Sequence, residues 1–201
     1  VADIHKAGSH LSNLLKEILD LAKIESGKLA VAPERVDLAE ITMGCLDMLD
    51  RQRKQKQHQV DVSTVHPVAA LVDPVATKQI LLNLLSNAFK YTPPGGRITV
   101  RFDLGNMMVI SVADNGQGIP KGDLDRVFEP FYQARQGEDV AIGGTGIGLS
   151  ISQQLARLHG GDLRIESRVG KGTTVSLHLP TSCVRAGDKP EVRDAAASIS
   201  H

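Results

Sequence analysis

The chain has 201 residues and carries 23 basic against 23 acidic side chains, a formal net charge of zero that argues against a general polyanion binder. Hydrophobic residues make up 41%, enough for a buried core and too many for a disordered chain. Aromatic residues make up only 3%, so the core must be aliphatic, and five of the six rings (Phe89, Tyr91, Phe128, Phe131 and Tyr132) fall in two short segments, while 12 of the 19 glycines lie between Gly116 and Gly172.

The first predicted element is a helix over residues 1–26. Ile4, Leu11 and Ile18 recur at spacing seven, as do Ala7, Leu14 and Leu21, with Leu15 and Ala22 widening the stripe. Lys6, Asn13, Lys16, Glu17, Asp20 and Lys23 stay off it. The pattern fits either an amphipathic helix packed on its own domain or a coiled-coil-like unit, and the chain begins inside it without a capping residue. An antiparallel hairpin or dimer bundle is the expectation. Gly27 ends this helix. Residues 28–36, with Pro33, read as an extended linker.

Asp37 is the expected N-cap of a second helix reaching Lys56, its apolar positions being Leu38, Ile41, Cys45, Met48 and Leu49. Residues 59–65 alternate as a strand and 68–72 fit another. Asp73-Pro74 opens a strong helix with Val75, Ile80, Leu81, Leu84, Leu85 and Ala88 inward, stopped by Pro93-Pro94-Gly95-Gly96. Strands follow at 97–103 and 107–114, then a glycine-containing loop, a short helix near 123–128, and an irregular stretch over 135–144. A helix at 147–159 and strands at 163–167 and 173–179 complete the pattern; the polar tail after Pro180 reads as disordered or a linker. The order predicts an α+β two-layer sandwich, helices on one face of a mixed β-sheet, preceded by the coiled-coil-like helix. The domain division is 1–27 for that helix, 28–36 for the linker, 37–180 for the sandwich and 181–201 for the tail.

No apolar run approaches the roughly 18–20 residues of a membrane-spanning helix, and the first residues lack a signal-peptide pattern. Cys45 and Cys183 are isolated, without metal-ligand spacing. A reduced, cytoplasmic setting is expected, and whether the parent protein is anchored in the inner membrane stays open.

Three segments can carry chemistry. Asn83, Asn87 and Lys90 stand at i, i+4 and i+7 and project from one face of the long helix. Carboxamide oxygens suit a divalent cation and the ammonium suits phosphate; the plain alternative is a solvated polar face. Asp114, ending a strand beside Gly116 and Gly118, can accept a hydrogen bond from a ligand amine; the alternative is a simple strand exit. Gly143-Gly144-Thr145-Gly146-Ile147-Gly148 enters a helix whose free N–H groups favour phosphate. It lacks the Walker Gly-Lys-Ser/Thr, and no Rossmann pattern follows.

Taken in this order, the segments resemble the catalytic ATP-binding domain of bacterial two-component sensor histidine kinases, in the superfamily shared with gyrase, heat-shock chaperones and mismatch-repair ATPases. The resemblance covers roughly residues 1–180. It rests on the asparagine box Asn83–Tyr91, a first glycine box Asp114–Gly118, the phenylalanine box Phe128-Glu129-Pro130-Phe131, a second glycine box Gly144–Gly148, and Gly170-Lys171-Gly172-Thr173. It implies that Asn87 ligates Mg²⁺ with Asn83 assisting, that Lys90 contacts phosphate, and that Tyr91 packs beside the base. Asp114 would accept the adenine amino group, Gly116 and Gly118 would let the backbone approach the base, and Thr173 would help through a water. Gly144, Thr145, Gly146 and Gly148 would belong to the nucleotide loop, hinging a lid over 133–147 that contains Arg135, Gly137, Glu138 and Asp139. Phe128 and Phe131 would anchor the lid.

The first helix, from His10 through Lys28, looks like the second helix of the family's dimerisation and phosphotransfer hairpin. The family's phosphoacceptor is a histidine followed by an acid and then by a proline; His5 and His10 do not fit, so the acceptor is expected upstream of Val1. Related hydrolases and serine kinases carry a glutamate where this chain has Asn83. An amide cannot act as a base near neutral pH, whereas neutral imidazole is already a nucleophile. The expected function is ATP-dependent phosphorylation of a histidine, with Lys90 and Asn83 as catalytic residues, for relay to a response-regulator aspartate. The expected cofactors are ATP and Mg²⁺; the expected partners are a second copy through the hairpin and a receiver domain. Two alternatives stay open: a degenerate nucleotide-binding, dimerising signalling module, or an ATP hydrolase or protein-serine kinase of the same superfamily.

Overall fold

The computed structural model describes residues 2–27, 29–63, 68–134 and 144–183. Helix α1 spans Ala2–Glu25 and Gly27 follows it at φ +66°. Residues predicted as linker instead supply a strand, β1 (Glu34–Asp37), paired antiparallel with β3 (Ala69–Val72) so that Glu34 faces Val72 and Asp37 faces Ala69. Four residues, three of them charged, show no alternation; the strand exists because β3 offers an edge. Between them the chain forms α2 (Leu38–Met48), α3 (Asp50–Lys56) and β2 (Gln59–Ser63). The single helix expected here breaks at Leu49, whose side chain is buried at the turn. Val65, at the end of the predicted 59–65 strand, lies outside the described residues.

Helix α4 spans Pro74–Tyr91, followed by β4 (Arg97–Leu104) and β5 (Met107–Asp114). The predicted helix at 123–128 is instead a 3₁₀ turn at Lys121–Asp123 running into further turns. Its Leu124, Val127 and Phe128 mimic a helical spacing, but Pro120 and Pro130 leave a segment too short to nucleate an α-helix. Helix α5 (Gly148–Leu158), β6 (Asp162–Arg168) and β7 (Gly172–Pro180) follow. Past β7 a 3₁₀ turn covers Thr181–Cys183; the rest of the predicted tail lies outside the described residues.

Five strands form one mixed sheet in the order β2-β4-β5-β7-β6, with β2 and β4 parallel and the other neighbours antiparallel. The core joins one face of the sheet (Ile98, Val100, Met108, Ile110, Leu177, Leu179) to the inward leucines of α4, to Ile151 and Leu155 of α5 and to Leu38 and Cys45 of α2. It is aliphatic apart from Phe89, as the composition required. Two apolar residues read as inward are not: Met48 and Val75 are 61% and 75% exposed. Burial lifts the Cys45 thiol to about 11, which leaves it unreactive near neutral pH.

Two aspartates set where helices start and bind distant segments to them. Asp37 Oδ1 accepts from the N–H of Ala39 at 2.9 Å, capping α2, and from the N–H of Val68 at 3.1 Å. Asp73 caps α4 through the N–H groups of Val75 and Ala76, both at 2.9 Å, and its other oxygen accepts from Ala32 at 2.9 Å. The N–H of Asp73 donates to Nε2 of buried His159 at 3.0 Å. His159 Nδ1–H in turn donates to the Leu155 carbonyl at 2.8 Å, so α4 and α5 are tied at one end by a neutral imidazole.

Candidate functional site

Asn83, Asn87 and Lys90 are half-buried along α4, on the side away from its core leucines. They open onto a cavity of about 360 Å³ between α4, α5 and the β5–β7 end of the sheet. Tyr91, Asp114, Gly118, Gly144, Thr145, Gly146, Gly148 and Thr173 line the same cavity, so of the residues expected to contact nucleotide or cation only Gly116 does not. Lys90 Nζ donates to the Tyr91 hydroxyl at 3.0 Å and sits 4.7 Å from that ring's centre, which points both side chains one way.

What holds this end of α4 was not legible in the motifs. The last carbonyls of a helix lack intrahelical partners. Here Lys56 Nζ donates to the carbonyls of Phe89, Lys90 and Thr92 at 2.9, 2.8 and 3.3 Å, placing an ammonium at the negative end of the helix. Beside it, His58 Nε2–H is shared between the Thr92 and Pro93 carbonyls at 3.2 and 3.1 Å, and the ring stacks on Phe89 with centroids 5.5 Å apart. In sequence Lys56 is one more charge in a basic, glutamine-rich run. Lys56→Met is expected to lower unfolding free energy by about 1–3 kcal/mol, read from urea titration.

Asp114 ends β5, in register with Ile98 on one side and Thr173 on the other. Its Oδ1 accepts from the N–H of Gly116 at 2.8 Å and of Thr173 at 3.3 Å. Among the described residues both donors fall on Oδ1, which leaves Oδ2 for a ligand. Burial pushes the carboxyl above its ordinary value of 3.8, although the two backbone bonds pull the other way. Gly116 therefore acts by aiming Asp114 rather than by lining the cavity; a Cβ there would meet the Tyr91 carbonyl oxygen at 2.5 Å. Gly118 has φ +72°, and a Cβ would collide with the Arg168 carbonyl of the β6–β7 turn.

Thr173 joins the site through its backbone N–H as well as its side chain. Its hydroxyl lies 2.8 Å from that of Ser167, which donates to the Gly172 carbonyl at 2.9 Å and accepts from the N–H of Ile119 at 2.8 Å. Ser167 thus pins the loop after Asp114 to the final hairpin. No pattern marked it, because its role comes from strand register.

The second glycine segment approaches α4 at Gly148, where a Cβ would overlap the Asn83 carboxamide. Asn83 Nδ2 donates to Ser152 Oγ of α5 at 2.9 Å, and Asn87 Nδ2 reaches Asn83 Oδ1 at 3.5 Å. That bond uses the nitrogen of Asn87, a cavity-lining residue, and leaves its Oδ1 as a hard oxygen of a type suited to a magnesium ion. A further oxygen belongs to the same lining: Glu17 of α1 lines the cavity, and its Oε2 is buried with no hydrogen-bond partner among the described residues. An orphaned carboxylate oxygen lining the same cavity as two carboxamides fits a cation there.

Phe128 is half-buried against the core, but Phe131 is 62% exposed. Phe131 holds the loop through its backbone instead, donating to the Gly146 carbonyl at 3.0 Å from a left-handed φ of +66°. Tyr132 donates to Asp123 at 2.8 Å, and Gln133 Nε2 donates to the Gly144 carbonyl at 2.8 Å. Of the predicted lid, Arg135, Gly137, Glu138 and Asp139 lie outside the described residues.

The family described as histidine kinase-, DNA gyrase B- and HSP90-like ATPase matches residues 72–182. The histidine protein kinase DivJ of Caulobacter vibrioides is 41% identical over 181 residues, covering 88% of this chain and 30% of DivJ. The solved mycobacterial sensor histidine kinase MprB is 32% identical with a TM-score of 0.65, covering 74% of this chain and 97% of that one. Full-length ShkA, solved in complex with AMPPNP, shares the fold at a TM-score of 0.78 and 24% identity, over 89% of this chain and 37% of ShkA. The chain spans 24–38% of the length of the curated relatives it matches first.

Proposed function

Because the chain belongs to the histidine kinase-, DNA gyrase B- and HSP90-like ATPase family, as the catalytic ATP-binding domain of a sensor histidine kinase, we propose that it binds Mg-ATP in the cavity along α4 and directs the γ-phosphoryl to a histidine of its own dimer. The observation that carries this reading is the convergence of four separate sequence segments on one cavity. Asp114 Oδ2 would accept the exocyclic amine of adenine, while Oδ1 stays held by Gly116 and Thr173. Tyr91 would flank the base and Lys90 would neutralise phosphate charge; Gly144–Gly148 would wrap the phosphates with backbone N–H groups. Asn87, with Asn83, would hold Mg²⁺, which when bound spreads the charge of the transferring group.

Asn83 distinguishes the reaction. Its amide is already engaged with Ser152 and Asn87 and cannot take a proton from water, so the site positions its reactants rather than activating a weak nucleophile. An imidazole needs no such base. That favours histidine over serine or water as acceptor, while the gathering of the full motif set on one cavity favours an active kinase over a degenerate module.

The wider reading follows the same family. Helix α1 would be the second helix of a dimerising hairpin, joined through residues 28–36, the last three of which pair with β3, to an ATP-binding domain over 37–180. Leu11, Leu15, Ile18 and Leu19 are 43–59% exposed along α1 while Leu21 packs into the core, so one seam of the helix is spent on this domain and another is unpartnered. The side chains of His5 and His10 lie outside the described residues. Among the described residues no helix is long and apolar enough to cross a membrane. A cytoplasmic setting and relay to a receiver-domain aspartate complete the proposal.

Calorimetry should show Mg-ATP binding to the 201-residue chain. Incubation with γ-labelled ATP should leave the chain unlabelled, yet label an added hairpin bearing a histidine–acid–x–x–x–proline helix, with acid-labile, base-stable phosphate. Base-labile serine phosphate, or rapid ATP hydrolysis without transfer, would overturn the histidine assignment. Absence of Mg-ATP binding would overturn the site itself.

A further inference from the structure

Among the described residues Glu17 is the one carboxylate of α1 that lines the nucleotide cavity, and no motif accounts for it. Its position follows from how α1 lies on the domain. Leu21 is buried and Ile24 packs on the core, and one turn earlier Asp20 Oδ2 accepts from Gln79 Nε2 of α4 at 3.4 Å. Gln79 precedes Asn83 by one turn of α4, and Glu17 precedes Asp20 by one turn of α1. Glu17 and the Asn83–Asn87 pair line the same cavity. Glu17 Oε2 is buried and has no donor among the described residues.

A buried carboxylate oxygen without a donor is costly unless a cation meets it. A structural carboxylate at this place would be bonded, as those of Asp37 and Asp73 are. Facing a bare polyphosphate, Glu17 would repel it; facing a divalent cation held on the same polyphosphate, it would attract. Amide oxygens alone supply no negative charge, and Mg²⁺ sites ordinarily use one or two carboxylates along with phosphate oxygens.

Resting on the reading of the cavity as a Mg-nucleotide site, we propose that Glu17 is a cation-binding residue of that site, supplied by α1 rather than by the ATP-binding domain. It makes nucleotide binding more dependent on the cation. Linkage then requires the converse: the Mg-nucleotide complex holds α1 against the domain more firmly than nucleotide alone does. Cation loading and the seating of α1 become one equilibrium.

The test is calorimetric titration of AMPPNP into the 201-residue chain at stepped Mg²⁺, with Mn²⁺ spin resonance as a second reading of cation binding. Compared are the unaltered chain, Glu17→Gln, Glu17→Asp and the exposed β4 control Asp103→Asn. Glu17→Gln should raise the Mg²⁺ concentration for half-maximal binding about tenfold while nucleotide affinity without cation is unchanged or tighter. Glu17→Asp should recover part of the effect and Asp103→Asn should show none. Amide exchange in α1 should slow with Mg-AMPPNP in the unaltered chain and less so in Glu17→Gln. An unchanged Mg²⁺ dependence in Glu17→Gln overturns the role of Glu17 and leaves the nucleotide site standing. A chain whose AMPPNP affinity ignores Mg²⁺ altogether overturns both.

Discussion

Asp114→Asn is expected to weaken Mg-ATP binding about 100-fold, or about 2.7 kcal/mol, by calorimetry at neutral pH. The substitution keeps size and shape, so its effect isolates donor and acceptor character. Gly116 and Thr173 both present N–H groups to Oδ1, which obliges an asparagine to place its carbonyl oxygen there. The amide nitrogen then replaces Oδ2 and meets the ligand amine donor to donor. Binding loses a charge-assisted hydrogen bond and gains a repulsion, while the fold keeps both of its own bonds.

The same residue sets a pH dependence whose sign can be worked out. Burial raises the Asp114 pKa above 3.8, so the folded chain holds a proton there more readily than the unfolded one. At neutral pH the buried charge therefore costs the fold stability, and that cost is relieved as pH falls through the raised folded value. Nucleotide affinity moves oppositely, because protonation removes the acceptor. Relative to Asp114→Asn, whose own titration of nucleotide serves as the baseline, affinity of the unaltered chain should begin to fall with acid at a pH above the ordinary aspartate range. Parallel curves for the two proteins would remove Asp114 from the ligand contact.

Gly118→Ala should destabilise the chain by about 2–4 kcal/mol, from left-handed strain and from forced displacement of a neighbour. The neighbour is the Arg168 carbonyl, which is backbone and cannot rotate away as a side chain would. The β6–β7 turn must shift, and with it the Ser167 hydroxyl that binds Ile119 and Thr173. Nucleotide affinity should fall along with urea stability, because Thr173 also fixes Asp114. A stability loss under 1 kcal/mol in urea titration would mean that the turn yields freely.

The strong helix at 74–91 was readable because capping Asp73, Pro74 and a leucine repeat agree on one answer, and local agreement of that kind survives folding. Strands β4–β7 were readable because one buried face writes alternation into the sequence. The break at Leu49 and strand β1 were not, since neither has a local signature; β1 depends on β3, distant in sequence, and the break accompanies burial of Leu49 in the core. The exposed Phe131 reverses the natural expectation that a ring anchors by burial, and its left-handed backbone makes the contact instead.

By itself the sequence determined which residue types meet a ligand: two asparagines and a lysine on one helical face, an aspartate at a strand end, and glycines where backbone must come close. Those choices follow from chemistry and from short-range periodicity, which are local. Only the tertiary structure decided how they are aimed. Lys56 holds the end of α4, Gly116 and Thr173 leave one oxygen of Asp114 open, Ser167 pins the loop to the last hairpin, and Glu17 enters from α1. A hydrogen bond across 59 positions between Thr173 and Asp114 leaves no trace in local spacing. It exists because antiparallel register sets β5 beside β7.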